Sequence, residues 1–170
     1  MREIDNTAYV ALGSNIGDKL GFLKDALKKI AESSQCQIRE ISSIYETRPF
    51  GIKNQDNFIN AVVKIKTSFY ISTLMHFLKN IEKSTGRRKS YRWGPREIDL
   101  DLLFYNKLVY KDDELIIPHK GIEFRDFVLV PLIEIAPDYF HPVLKIKISD
   151  ICMDNLEKNI IRKLSYNIYQ

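Results

Sequence analysis

The chain reads as an α+β protein built on a split β-α-β arrangement, an antiparallel sheet with helices packed on it. Three observations predict this. The spacing of apolar residues switches between a period of two and one of 3.6, the switches run strand, helix, strand, strand, helix, strand, and turn-forming residues stand where they occur. Residues 9–12 are a short apolar run ending in Gly13-Ser14-Asn15, as a buried strand meeting a turn would be. From Asp18 the pattern becomes helical, with Leu20, Leu23, Leu27 and Ile30 on one side and Lys24, Asp25, Lys28 and Lys29 on the other. Residues 38–45 alternate loosely and are rich in β-branched side chains. Residues 58–67 set Ile59, Ala61, Val63 and Ile65 against Asn60, Val62, Lys64 and Lys66. These are the second and third strands. Ile71, Leu74, Met75, Leu78 and Ile81 mark a second helix with Gly86 placed to cap its end. The fourth strand lies in residues 92–103, RWGPREIDLDLL. This order is that of the ferredoxin-like α+β folds.

Beyond that unit, Asn106-Lys107 reads as a hairpin turn leading through Val109 to a return segment at 115–117, and Pro118-His119 opens a loop. An apolar helix follows at 127–135, ended by Pro137; a short helix is expected at 148–156 and a polar tail at 157–170. No internal repeat, low-complexity tract or linker interrupts the sequence, so one domain spanning 1–170 is expected.

Composition narrows the function classes. With 170 residues, 45% hydrophobic, the chain can bury a core of its own. Lys+Arg 26 against Asp+Glu 22 leaves a net charge of +4, which suits a small anionic ligand and falls short of the dense basic face of a nucleic-acid binder. Cys36 and Cys152 stand far apart without CxxC or paired histidines, so neither a zinc site nor a disulfide framework is indicated. No apolar stretch is long enough for a signal peptide or a membrane span, and a cytoplasmic location without a membrane partner is expected.

The chemistry concentrates in RWGPREIDLDLL. Alternation on a strand projects Asp99 and Asp101 together while Ile98, Leu100 and Leu102 face the core. Carboxylates held so close repel unless a cation sits between them, and magnesium, which takes one or two carboxylates when phosphates and water complete its shell, suits the pair. Arg87, Arg88, Lys89, Arg92 and Arg96 supply the positive charge a polyphosphate needs. Alternate aspartates alone usually mark only the wet face of a strand; the basic cluster beside them points instead to a nucleoside triphosphate. Two long loops, 47–57 and 86–95, have the length of functional segments and are expected to roof the site. A ferredoxin-like RNA-binding module could use Tyr91 and Trp93 for stacking, but the aspartate pair would repel its phosphates. A metal-dependent nucleotide hydrolase would share the aspartates and arginines and need no aromatic pocket.

Gly13-Ser14-Asn15, Tyr45-Glu46-Thr47 with Pro49 and Gly51, Phe58 with Asn60, RWGPREIDLDLL, Pro118-His119 and Arg125-Asp126-Phe127 stand in one order over about 9–137. Together they resemble the 6-hydroxymethyl-7,8-dihydropterin pyrophosphokinases of folate biosynthesis, for which RWGPRxxDLD is a specific signature. The resemblance implies a monomer that moves pyrophosphate from ATP to the pterin hydroxymethyl group, releases AMP, uses two Mg2+ ions and has no nucleic-acid partner. It implies that Asp99 and Asp101 hold the metal and that Arg87 and Arg96 assist the transfer. ATP contacts fall on Arg87, Arg88, Lys89, Arg96, Leu102, His119 and Arg125. Pterin contacts fall on Thr47, Arg48, Phe50, Phe58, Asn60, Trp93 and Phe127, with Phe58 and Phe127 as the stacking rings. Taken singly, each of those aromatics would more often be ordinary packing. The chain departs from the family's usual pattern at Arg48, Phe50, Lys89, Glu114 and Ile116, where nucleotide and pterin contacts are expected to differ. Glu82, near the end of the second helix, is expected to be a solvated charge and is not assigned to the site.

Overall fold

The computed structural model of the chain describes residues 5–88, 91, 94–154, 156–166 and 168. Strands β1 (Asn6–Ser14), β2 (Cys36–Ile41), β3 (Ile44–Thr47), β4 (Phe58–Thr67) and β5 (Asp99–Tyr105) alternate with helices α1 (Lys19–Glu32) and α2 (Ile71–Ser84) in the order expected. A small hairpin of β6 (Tyr110–Lys111) and β7 (Ile116–Ile117), helix α3 (Asp126–Ile135) and strand β8 (Ile160–Leu164) follow. The main sheet runs β5-β1-β4-β3-β8, with β2 also paired to β4, and its pairings are antiparallel.

The two faces of this sheet have different tasks. One carries Val10, Leu12, Ala61, Val63, Ile65, Leu100 and Leu102, against which α1 lays Leu23, Leu27 and Ile30, and α2 lays Leu74, Leu78 and Ile81. These side chains are almost wholly buried, and each Val, Leu or Ile among them is worth about 1.5–3 kcal/mol relative to exposure. The other face is covered only in part. There α3 sets Leu129 and Leu132 on Tyr9, Val62 and Phe104, and the rest of the face is left for the site.

Helix α1 begins where Asp18 accepts the Gly21 N–H at 3.0 Å. Helix α2 is capped at Thr85, and Gly86 beyond it takes a φ of +107°, a conformation glycine adopts without cost. Asn106 turns the chain after β5 with a φ of 47°, and its side chain accepts the Thr7 N–H at 2.8 Å.

Three expectations are corrected. The strand foreseen at 38–45 is two strands, because the Ser42 hydroxyl accepts the Val62 N–H at 2.9 Å and breaks the ladder between β2 and β3. The helix foreseen at 148–156 is one 3-10 turn, Ile148–Asp150. Ile148 and Ile151, three apart, fill the core under α3 and Leu156 packs against it, but Cys152 and Met153 between them are exposed, so no continuous helical face is buried. The polar tail contains β8, which pairs with β3 from Ile44↔Leu164 to Thr47↔Ile160. An edge strand with a wet face reads as polar, which hid it in the sequence.

Candidate active site

A row of residues across three strands sets the floor. Asp99 on β5 lies opposite Gly13 on β1, which lies opposite Asn60 on β4, and Asp101 lies opposite Ala11. Small residues on the central strand clear the space between the aspartates and the asparagine. A Cβ on Gly13 would come within 2.9 Å of the Asn60 Oδ1, so the glycine is what admits that amide. The Asn60 Nδ2 donates to the Thr47 hydroxyl at 2.8 Å, fixing its orientation.

Thr47, Arg48, Phe50, Phe58, Asn60, Arg96, Asp99, Asp101, Arg125 and Phe127 all line one cleft over this floor. Leu102 and His119 line a second cleft with Lys79, Glu114 and Lys120. Asp101 is on the wall of both. Phe127 meets Phe50, with ring centroids 6.1 Å apart and planes 58° from parallel, and Phe58 lines the same cleft. The Arg125 guanidinium lies over both paired rings, 5.1 Å from Phe50 and 6.0 Å from Phe127. That places Arg125 on the aromatic cleft. Arg88 is exposed, and its backbone N–H donates to Glu97 at 3.1 Å; it lines neither cleft. Lys89, Arg92 and Trp93 lie outside the described residues.

The two aspartates differ electrostatically. Asp99 accepts Arg87 at 2.7 Å on one oxygen and Arg96 at 2.5 Å on the other. Burial pushes its carboxyl up, but the two guanidinium charges outweigh that and hold it below the usual range. Asp101 has no such clamp. Burial and the neighbouring Asp99 charge push its carboxyl up, with His119, Lys79 and Arg125 opposing from a distance. The His119 Nδ1 accepts the Gly121 N–H at 3.0 Å, and burial holds the imidazole below its ordinary range against the pull of Asp101. An accepting Nδ1 leaves the ring proton on Nε2.

A profile of the family described as 7,8-dihydro-6-hydroxymethylpterin-pyrophosphokinase (HPPK) matches residues 9–137. The chain belongs to the HPPK family. It is 40% identical over 152 residues to the 2-amino-4-hydroxy-6-hydroxymethyldihydropteridine pyrophosphokinase of Aquifex aeolicus, a match covering 89% of this chain and 94% of that one. The enzyme of the same name from Bacillus subtilis is 42% identical over 133 residues, 78% of this chain and 80% of the relative. Among solved structures, wild-type Plasmodium falciparum HPPK-DHPS with pteroate superposes with a TM-score of 0.71 at 18% identity, over 88% of this chain and 44% of that longer one. That likeness is one of fold.

Two residues that hold this candidate site together were not foreseen. Glu82 is 3% exposed, and it is no solvated charge. Its carboxylate takes Arg87 at 2.5 Å, Lys79 at 2.8 Å and the Leu100 N–H at 2.7 Å. Burial pushes its pKa up, with Lys79, the Leu100 N–H and Arg87 opposing. Arg87 is thereby held between Glu82 and Asp99. The signal was its place in the helix, four residues after Leu78 and seven after Met75, on the apolar stripe. Asn15 is the other. Its Oδ1 accepts the Arg96 N–H at 2.8 Å, and its Nδ2 donates to Gln55 at 3.0 Å and to the Asp56 carbonyl at 3.1 Å. One 1%-exposed amide therefore ties the arginine segment to the loop after β3. A turn asparagine carries no sequence mark of such a role.

Proposed function

We infer that the chain transfers the pyrophosphoryl group of ATP to the hydroxymethyl group of 6-hydroxymethyl-7,8-dihydropterin, giving the pterin diphosphate and AMP in folate biosynthesis. Membership of the HPPK family and the 40% identity to a named pyrophosphokinase carry this reading. The geometric observation that supports it is the sharing of Asp101 by an aromatic cleft and a second, polar one. A two-substrate transfer needs its reacting groups to meet at one point. The pterin hydroxyl oxygen forms a bond to the β-phosphorus, the bond from that phosphorus to the α,β-bridging oxygen breaks, and the hydroxyl proton leaves to solvent.

Residue roles follow as proposals. The flat pterin enters the cleft of Phe50, Phe58 and Phe127, with Asn60, Thr47 and Arg48 reading its edge. ATP occupies the cleft of Leu102 and His119, where the Nε2–H of His119 can donate to a phosphate oxygen. Arg87 and Arg96 each keep donors beyond those given to Asp99, and these can grip the triphosphate. Asp99 and Asp101 fit magnesium. They are hard oxygen donors on one strand face, Asp101 forms no side-chain hydrogen bond among the described residues, and substrate phosphates and water would complete the shell. When bound, two Mg2+ ions would offset the triphosphate charge and polarise the β-phosphoryl group. We further propose a cytoplasmic monomer with no nucleic-acid or membrane partner; among the described residues no helix is long and apolar enough to cross a membrane. The test is AMP formation from ATP and magnesium with and without the pterin, with AMP separated from ADP. Pterin-dependent AMP matched by pterin diphosphate is expected; ADP, or release without pterin, would overturn the reading.

A further inference from the structure

The aromatic cleft has two walls from different parts of the chain. Thr47, Arg48 and Phe50 come from β3 and the loop after it, and Arg125 and Phe127 from the start of α3. At the end of α3 away from the cleft the two elements are tied directly, by Glu134 accepting from Ser43 and Tyr45. At the cleft end the tie runs through a third segment. The Asn159 N–H donates to the Asp126 Oδ2 at 2.7 Å, and the Asn159 carbonyl accepts the Arg48 N–H at 2.8 Å. Asp126 stands between Arg125 and Phe127, so one buried residue bridges the two walls. Ile160 adds a second N–H to the same Asp126 oxygen at 2.9 Å. Glu157 pairs with Lys53 at 2.9 Å on the loop, and the Lys158 carbonyl accepts from the Arg48 guanidinium at 3.3 Å.

We propose that segment 157–160, held by Asp126, is a strap that sets the spacing of the pterin cleft's two walls, and that Asp126 is a positioning residue for the pterin. This rests on the pyrophosphokinase reading. The segment lies past 137, where the family match ends, so it adds to what that match carries. Asp126 is 8% exposed, and its carboxylate spends one oxygen on two backbone N–H groups while the other, Oδ1, has no hydrogen-bond partner among the described residues. A buried charge committed to a distant segment is a strong tie. A strand that merely closed the sheet edge would need only the β3–β8 ladder. A strap acts on one substrate, because the walls it joins face the aromatic cleft and neither Asp126 nor Asn159 lines the cleft of His119.

The experiment compares full-length wild type, Asp126→Asn and Asp126→Ala for the KM of pterin, the KM of Mg·ATP and kcat, with circular dichroism to show that each is folded. Asp126→Ala, which loses both N–H bonds to the carboxylate, should raise the pterin KM at least about tenfold and change the ATP KM less than twofold. Asp126→Asn, whose amide oxygen can still accept the two N–H groups, should fall between. The strap is overturned if folded variants keep the pterin KM within twofold of wild type, or if both KM values rise together as general loosening would require. Should Asp126→Ala fail to fold, the near-isosteric Asp126→Asn decides by the same criteria. A wild type that forms no AMP on adding pterin would instead overturn the pyrophosphokinase reading beneath the proposal.

Discussion

At Asp101, the role proposed in the reaction opposes the fold. Its carboxylate is half-buried beside a second charge and lacks the arginine clamp that Asp99 has. Asp101→Asn removes that repulsion and keeps the shape. Without metal or nucleotide, the variant's Tm should rise by roughly 2–4 °C, the shift that about 1 kcal/mol gives a chain of this size. Turnover should fall by at least about 10²-fold if the carboxylate holds magnesium. A lower metal-free Tm would show that the charge is better compensated than its surroundings suggest. Glu82 works the other way, since it settles Arg87 and does not line the cleft. Glu82→Gln keeps an oxygen for Lys79 and the Leu100 N–H but gives up the charge that faces Arg87. Both stability and kcat should fall, kcat by about tenfold, and denaturant titration with initial rates would check both. Asp99 and Asp101 were legible because strand alternation is a hard rule. Glu82 was not, because a charge is read as solvated unless its burial partners are known, and those partners come from α2, β5 and the segment between them.

Helices α1 and α2 and strands β1, β4 and β5 were legible since each buries a continuous apolar face that its sequence period displays. The elements that were misread bury little or pair late in the chain. β8 is recognised only through its partner β3, and a partner more than a hundred residues away leaves no local pattern. Polar ties also join elements without any apolar signal. Glu134 on α3 accepts the Ser43 N–H at 3.1 Å, the Ser43 hydroxyl at 2.6 Å and the Tyr45 hydroxyl at 2.9 Å. Burial and that carboxylate push the Tyr45 phenol up to about 12. Burial pushes Glu134 up as well, but the donors from Ser43, Tyr45 and Lys163 outweigh it and hold its carboxyl below the ordinary glutamate range. A depressed folded pKa means stability that is present above the unfolded value, about 4.3, and is lost as pH falls through the folded value. Glu134→Gln should therefore lower stability near neutrality and flatten the acid limb below about pH 4.3. Equal slopes for variant and wild type in urea titrations across that range would remove Glu134 from the linkage.

Over the whole molecule, one sheet face is devoted to the core and the other is divided between α3 and the aromatic cleft, while the second cleft lies at the edge strand β5 between α2 and the β6–β7 hairpin, and the two clefts meet at Asp101. That division suggests how the two substrates influence each other. Without metal, the aromatic cleft contains a disfavoured carboxylate at Asp101; Mg2+ arriving with the nucleotide would compensate it, and that cost would no longer weigh on pterin binding. Asn15 adds a mechanical link, since Arg96 and the loop carrying Gln55 and Asp56 are tied to a single amide. The expected result is positive coupling. Pterin affinity, read by fluorescence titration, should rise in the presence of Mg2+ and a non-hydrolysable ATP analogue, by a factor within the usual range of about 5–150. Thermodynamic linkage requires that pterin raise the analogue's affinity by the same factor. In Asp101→Asn the factor should shrink toward the part carried by Asn15 alone. Independent binding of the two ligands to wild type would mean that the clefts share a residue without sharing free energy, and Asp101 would then serve the reaction only after both substrates are seated.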